Sequence, residues 1–404
     1  MPEYLPRTLE TVLRRALTEF PAVVVTGPRQ AGKTTLAKHV AGPGASYASL
    51  DVPDVRAAAL ADPRGFLSSL AVPAILDEVQ QVPELLPYLK EAIDRDRDAS
   101  GRYLLTGSQN LMLMRQVTES LAGRAAVLTL MPLSQREIDH QPEAGFAWED
   151  AGHAGTVDTT RAWFERLMRS SFPEPALRNG DAGLWLSSYV ATYLERDVRM
   201  LRDVGDLRTF DAFLRLIASR TGTTLDMTDI SRTLGIAVNT VKAWVSVLAA
   251  SHLLLLLPPY HANVAKRLAK RPKVYLLDVG LACHLTGLKD PEPAIAGPLG
   301  GALFETAVVA EVHRALLHRG QRPDLHFWGV SGRAEVDMLV RHDAGLVPLE
   351  VKLSETPNPR HADQIRALRS ILPAEIASTG YVVTPGSSTL PLGEGACALP
   401  FSRL

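Results

Sequence analysis

An α/β protein opening on a doubly wound parallel sheet is what the chain predicts for its first third, and three observations predict it. Short apolar runs recur at 22–26 (AVVVT), 73–78, 102–108 and 125–130, as strands buried on both faces do. Helical stretches fall between them, over 36–41, 83–94 and 111–121. Between the first strand and the first helix lie Gly27-Pro28-Arg29-Gln30-Ala31-Gly32-Lys33-Thr34-Thr35, which fit the phosphate-loop pattern G-x-x-x-x-G-K-[ST].

Each part of that loop has a chemical reason. The glycines let backbone N–H groups wrap a phosphate without Cβ clashes, and the helix start adds a favourable dipole for the anion. Lys33 would neutralise the β- and γ-phosphates of ATP, and the Thr34 hydroxyl would ligate Mg²⁺. The second run ends in Asp77 and Glu78. Asp77 would support the Mg²⁺ shell and Glu78 would polarise the attacking water. At the end of the third run, Thr106 or Ser108 would sense the γ-phosphate, unless they only open the turn at Gly107. Lys33, Asp77 and Thr106 all fall at C-terminal strand ends, where ligands bind in such sheets. Arg124, or Arg115 near it, would reach a neighbouring subunit's phosphate in a homo-oligomer; a solvated surface arginine is the alternative.

Composition bounds the rest. The chain has 404 residues, a 46% hydrophobic and 22% charged share and a net charge of −1, so a nucleic-acid site has to be a local patch. Two cysteines, Cys283 and Cys397, exclude a disulfide framework or zinc cluster. No apolar run reaches membrane length, and the opening MPEYLPRTLE lacks a signal segment, which points to the cytoplasm.

Residues 141–206 read as a helical linker or lid. From 207 the pattern sharpens: a helix over 210–219, a short helix over 228–234 with Thr228 as its cap, a turn at Gly235, a helix over 238–250 and a strand over 253–257. That order is a winged helix-turn-helix. Asn239, Thr240 and Lys242 would face outward at the start of the second helix. Between Arg208 and Lys273 stand ten Lys and Arg against three Asp and Glu, an excess of seven positive charges. Lys266, Arg267, Lys270, Arg271 and Lys273 cluster there as contacts to DNA phosphates. A protein–protein adaptor is the other reading of the same pattern.

The last segment holds a second constellation. A helix over 303–318 carrying Glu305, strands over 325–329, 335–340 and 346–352, a helix over 360–372 and a strand over 380–384 follow the order of a PD-(D/E)xK nuclease core. Glu350 and Lys352, two apart on a strand, share one face. Asp337 on the preceding strand can point to the same side. Glu305, Asp337 and Glu350 would hold Mg²⁺ or Mn²⁺, and Lys352 would orient water or stabilise the pentavalent phosphate. An inactive core using this surface for binding is the competing reading.

The motifs GPRQAGKTT, ILDEVQ, LLTGSQNLML, ESLAGRA, MPLSQRE, FPEPAL, YLERDV, LGIAVNTVKAW, KVYLLDVGLA, EVDMLV and LEVK together resemble prokaryotic AAA-type ATP-binding proteins with a C-terminal domain of unknown function. The resemblance spans nearly the whole chain. It implies a P-loop ATPase domain (1–140), a helical linker (141–206), a winged helix (207–275) and a nuclease-like core (276–404). The expected activity is ATP hydrolysis coupled to action on DNA. A nucleotide switch for a protein partner is the alternative.

Overall fold

The computed structural model describes residues 4–107, 119–149, 158–194, 207–261, 271–330 and 334–404. The chain forms two compact units. The first comprises Met1–Leu133 with Ala250–His252 and Ala315–Gln321; the second comprises Ser134–Ala249, Leu253–Arg314 and Arg322–Leu404.

The first unit is built on five strands: β1 (Ala22–Thr26), β2 (Ser46–Ser49), β3 (Ala74–Asp77), β4 (Tyr103–Thr106) and β5 (Ala125–Thr129). They lie in the order β2-β3-β4-β1-β5, and every pairing is parallel. The β-branched run Val23-Val24-Val25 suits a strand covered on both sides. Val23 and Val25 face one core with Leu9, Leu13, Leu36, Ile75 and Leu104. Val24 faces the other with Leu76, Leu85, Leu89, Ile93 and Leu105. Each such aliphatic side chain contributes about 1.5–3 kcal/mol by leaving water.

The helices Lys33–Ala41 and Leu85–Asp94 stand where the pattern puts them. Four further elements carry no clear sequence signal: the helices Leu9–Glu19, Pro53–Ala61 and Pro63–Ser69, and β2. β2 (Ser-Tyr-Ala-Ser) is a polar edge strand and shows no apolar run. The two middle helices begin on proline, whose missing N–H costs nothing in a first turn.

The second unit holds two sheets. β6 (Thr223–Thr224), β7 (Leu254–Leu257) and β8 (Lys273–Leu276) form a three-stranded antiparallel sheet in the order β6-β8-β7. Beside them in sequence are the helices Leu207–Ser219, Met227–Leu234 and Val238–Ala250, the last two crossing at 113°. Asp226, not Thr228, caps the middle helix: its Oδ1 accepts from the N–H groups of Thr228 and Asp229, both at 3.0 Å. Gly235 ends that helix in the left-handed conformation, φ 67°. Val241, Trp244, Val245 and Leu248 are buried on one face of Val238–Ala250, and Trp244 meets Phe210 and Phe213 with ring centroids 5.2 Å apart in each case.

The larger sheet orders its strands β13-β12-β11-β10-β9. β9 (Leu325–Val330), β10 (Ala334–His342) and β11 (Gly345–Val351) are antiparallel; β12 (Gly380–Thr384) and β13 (Ala396–Pro400) join β11 in parallel. The helix Gly300–His318 precedes β9, and Asp363–Ile371 separates β11 from β12. The β9–β10 ladder slips between Val336 and Leu339, so one extra residue of β10 bulges at Asp337 and Met338. Among the described residues no single helix is long and apolar enough to cross a membrane.

Close approach fixes the first glycine of the loop. Gly27 has φ 140°, and a Cβ there would lie 2.0 Å from the carbonyl oxygen of Leu130, just past β5. Gly27→Ala should therefore destabilise the first unit by about 3 kcal/mol, through strained φ and forced separation of β1 from β5. A thermal-unfolding scan should show its transition lowered by about 5–10 °C; an unshifted transition would contradict this packing.

Candidate functional sites

The phosphate loop sits at the C-terminal end of β1, between β4 and β5 in the sheet. Gly32 adopts φ 93° and turns the chain into the helix that begins with Lys33. The Lys33 ammonium is buried and bonds back to the carbonyls of Gly27 (3.1 Å) and Pro28 (2.8 Å). Burial pushes its pKa down to about 8; the Glu78 carboxylate opposes the fall and Arg29 adds to it.

Asp77, at the end of β3, gathers hydroxyls from three elements. Thr34 donates at 2.9 and 3.1 Å to its two oxygens, Tyr47 of β2 donates at 2.8 Å, and Thr106 of β4 donates to Oδ1. Burial and the bond to Asp77 raise the Tyr47 phenol to about 12, so it remains a donor. The Lys38 ammonium lies 3.6 Å from the Tyr47 ring centroid and pins the ring from its other side. Thr106 is fully buried, and its hydroxyl is engaged by Asp77. Glu78 follows in the left-handed region, φ 56°, with its carboxylate accepting from the Gln80 amide.

Arg7 braces the loop from behind. Its guanidinium donates to Ala31 O (3.0 Å) and Met131 O (2.8 Å), each such charged bond being worth about 1.5–3 kcal/mol. Neither Arg7 nor Tyr47 has a motif signature. Gln30 and Thr35 are exposed. Arg124 is held by the Asp94 carboxylate through Nε (2.6 Å) and Nη2 (2.9 Å). Ser108 and Arg115 lie outside the described residues. The donor set fits the expected cofactors: a loop with two positive-φ glycines and a lysine suits phosphate, and a hydroxyl beside a carboxylate offers the hard oxygens that Mg²⁺ takes.

In the second unit the predicted acids do meet. Asp337 and Glu350 stand opposite one another where the β10–β11 register continues past Met338↔Leu349. Asp337 accepts from the backbone N–H of Val351 at 2.8 Å, and Glu350 accepts from Lys352 at 2.5 Å. Glu305 accepts from Tyr275 (2.5 Å) and Lys273 (3.1 Å). Lys273 is the correction. The basic run suggests a DNA phosphate contact, yet its side chain is only 5% exposed and its ammonium lies 2.6 Å from Glu335 and 3.8 Å from Asp337. The metal expectation changes with it. Among the described residues no three His, Cys, Asp or Glu are grouped to hold an ion, and Lys273 and Lys352 pair with these carboxylates.

Of the other expected nucleic-acid contacts, Asn239 and Lys242 are exposed and Thr240 is half-buried. Arg271 is exposed but pairs with Asp226, and Arg220 pairs with Asp229. Lys266, Arg267 and Lys270 lie outside the described residues.

Comparison with known proteins follows this division. Residues 19–139 match an AAA domain, 160–292 the domain of unknown function DUF8612, and 300–404 the domain of unknown function DUF4143. Two proteins described as uncharacterized, from Mycobacterium tuberculosis and Mycobacterium bovis, are each 30% identical over 393 residues, covering 97% of this chain and 82% of theirs. The chain belongs to their family. Its first unit is an AAA-type P-loop ATPase domain. Among solved structures, a Walker-type ATPase of Pyrococcus abyssi aligns with TM-score 0.44 at 16% identity, over 70% of this chain and 96% of that one.

The carboxylate cluster makes stability depend on pH. Burial and the neighbouring Asp337 raise Glu305 to about 7 and Glu350 to about 8; burial raises Asp337 as well. The unfolded chain releases these protons near pH 4.5, whereas the folded unit holds them until about 7 and 8. Their contribution is complete below the lower value and is lost as pH rises through the upper ones. Chemical denaturation in metal-free buffer should show the second unit losing about 2 kcal/mol between pH 5 and pH 8. Glu350→Gln should flatten that slope; an unchanged slope would contradict the buried cluster.

Proposed function

We propose that the protein is an ATP-hydrolysing, DNA-engaging ATPase whose C-terminal core binds DNA without cutting it. The observation that carries the ATPase reading is the bond between Thr34 and Asp77, which joins the phosphate loop to the acidic end of β3. In this reading Lys33 leaves the carbonyls of Gly27 and Pro28 for the phosphates of ATP. Thr34 and Asp77 would hold Mg²⁺, which supplies charge neutralisation at the transferred phosphoryl group. Glu78, one residue beyond, orients the attacking water. Its left-handed backbone turns the chain out of the strand at that point. Arg124 remains a candidate for a contribution in trans, should subunits assemble.

Two helices crossing at 113°, with exposed Asn239 and Lys242, support the winged-helix reading of 207–275. Lys266, Arg267 and Lys270, which fall between β7 and β8 in the sequence, would add positive charge for DNA phosphates. The helix, antiparallel hairpin and parallel strand order of 276–404 supports a nuclease-like core. Lys273 among its carboxylates favours a binding role over cleavage, since a fixed ammonium stands where a metal would need free oxygens. The remaining stretch, 141–206, would serve as linker or lid.

Lys33→Ala should abolish ATP binding, while Glu78→Gln should keep it and slow hydrolysis at least ~100-fold. Equal loss of binding in both variants would refute the division of roles. Fluorescence anisotropy should show salt-dependent DNA binding, with Lys242→Ala lowering the salt slope by about one. Plasmid should stay intact with Mg²⁺ or Mn²⁺, with or without ATP. Cleavage that disappears in Asp337→Ala would restore the nuclease reading, and no DNA binding at all would favour a switch for a protein partner.

A further inference from the structure

His252 follows the Val238–Ala250 helix by two residues, and Ala250–His252 belongs to the compact unit that carries the phosphate loop. Its backbone has φ 56°, a conformation non-glycine residues rarely adopt outside sites that require it. Its Nε2 is buried and has no hydrogen-bond partner among the described residues. Leaving such an atom unpaired is unfavourable, so native structures usually offer a reason for it. Burial and the nearby Lys33 ammonium hold the imidazole down to about 4, so it is neutral at physiological pH.

These features have one chemical remedy in common. A neutral imidazole beside a lysine can offer an N–H but finds no acceptor, and the Lys33 ammonium contents itself with two loop carbonyls. An anion on Lys33 would accept from both. We infer that His252 is a phosphate contact of the nucleotide site, its Nε2–H completing the cradle formed by the glycine loop and Lys33. The inference rests on reading that loop as an ATP site. It adds a residue some 220 positions away from the motif in the chain. It also places a phosphate-contacting side chain two residues beyond the helix proposed to meet DNA.

The test measures ATP and ADP affinity of the full chain by calorimetry, for the parent protein, His252→Ala and His252→Gln. His252→Ala should bind both nucleotides about tenfold or more weakly, the loss expected for one hydrogen bond to a charged group. His252→Gln, which keeps an N–H donor of similar reach, should recover part of that loss. In the parent protein with ¹⁵N-labelled histidine, the His252 Nε2 resonance should shift on saturation with ADP. Affinities within twofold in a folded His252→Ala variant, or a resonance that ADP leaves in place, would overturn the inference alone. A parent protein that binds neither nucleotide would overturn the phosphate-loop reading with it.

Discussion

The Asp77 carboxylate is the constraint on which the first unit's site depends. Three hydroxyls converge on it from the Lys33–Ala41 helix, β2 and β4. The strand order makes this arrangement possible, because β3 lies between β2 and β4. Desolvating a carboxylate at a strand end is unfavourable unless donors replace the lost water, and here the fold supplies them from both neighbouring strands. The same bonds register the loop against the sheet. Thr34 cannot move without loosening Asp77, and Asp77 cannot move without disturbing two strands.

The second unit solves a harder version of the same problem. Three carboxylates, Glu350 buried and Glu305 and Asp337 largely so, share one region, and like charges facing each other across a ladder are unfavourable. The fold answers with Lys273 from β8 and Lys352 from the end of β11, with Tyr275 adding a hydroxyl. Lys273 and Tyr275 alternate along β8, so both point the same way. The cluster is therefore a property of two sheets and a helix together, and no one segment explains it.

That distinction also decides what could be read from the chain. The phosphate loop, the four apolar strands around it and the Asp77–Glu78 pair were legible because their chemistry is local: glycines, an apolar run and its polar end lie within a few residues. The two crossing helices were legible for the same reason, from Gly235 and the face carrying Val241, Trp244, Val245 and Leu248. Lys273 was misread because charge runs are counted along the sequence, whereas burial is decided by what the strand meets. The signal was present in the alternation Lys273-Val274-Tyr275-Leu276, a lysine opening a wholly buried strand. β2 escaped notice because an edge strand of serine, tyrosine and alanine needs no apolar pattern. Its Tyr47 matters only through a partner thirty residues later. Arg7 is of the same kind, since its role appears only once β5 and the loop are side by side.

The slip in the β9–β10 ladder has a consequence for how such a surface diverges. Side chains of a strand alternate between faces, so one additional residue decides which face the next acid occupies. Loss of the single codon for Met338 would straighten the ladder and dissolve the pairing of Asp337 with Glu350, with every neighbouring element left in place. Descendants of this core can thus acquire or discard an acidic face by a change of length, without replacing any of the acids.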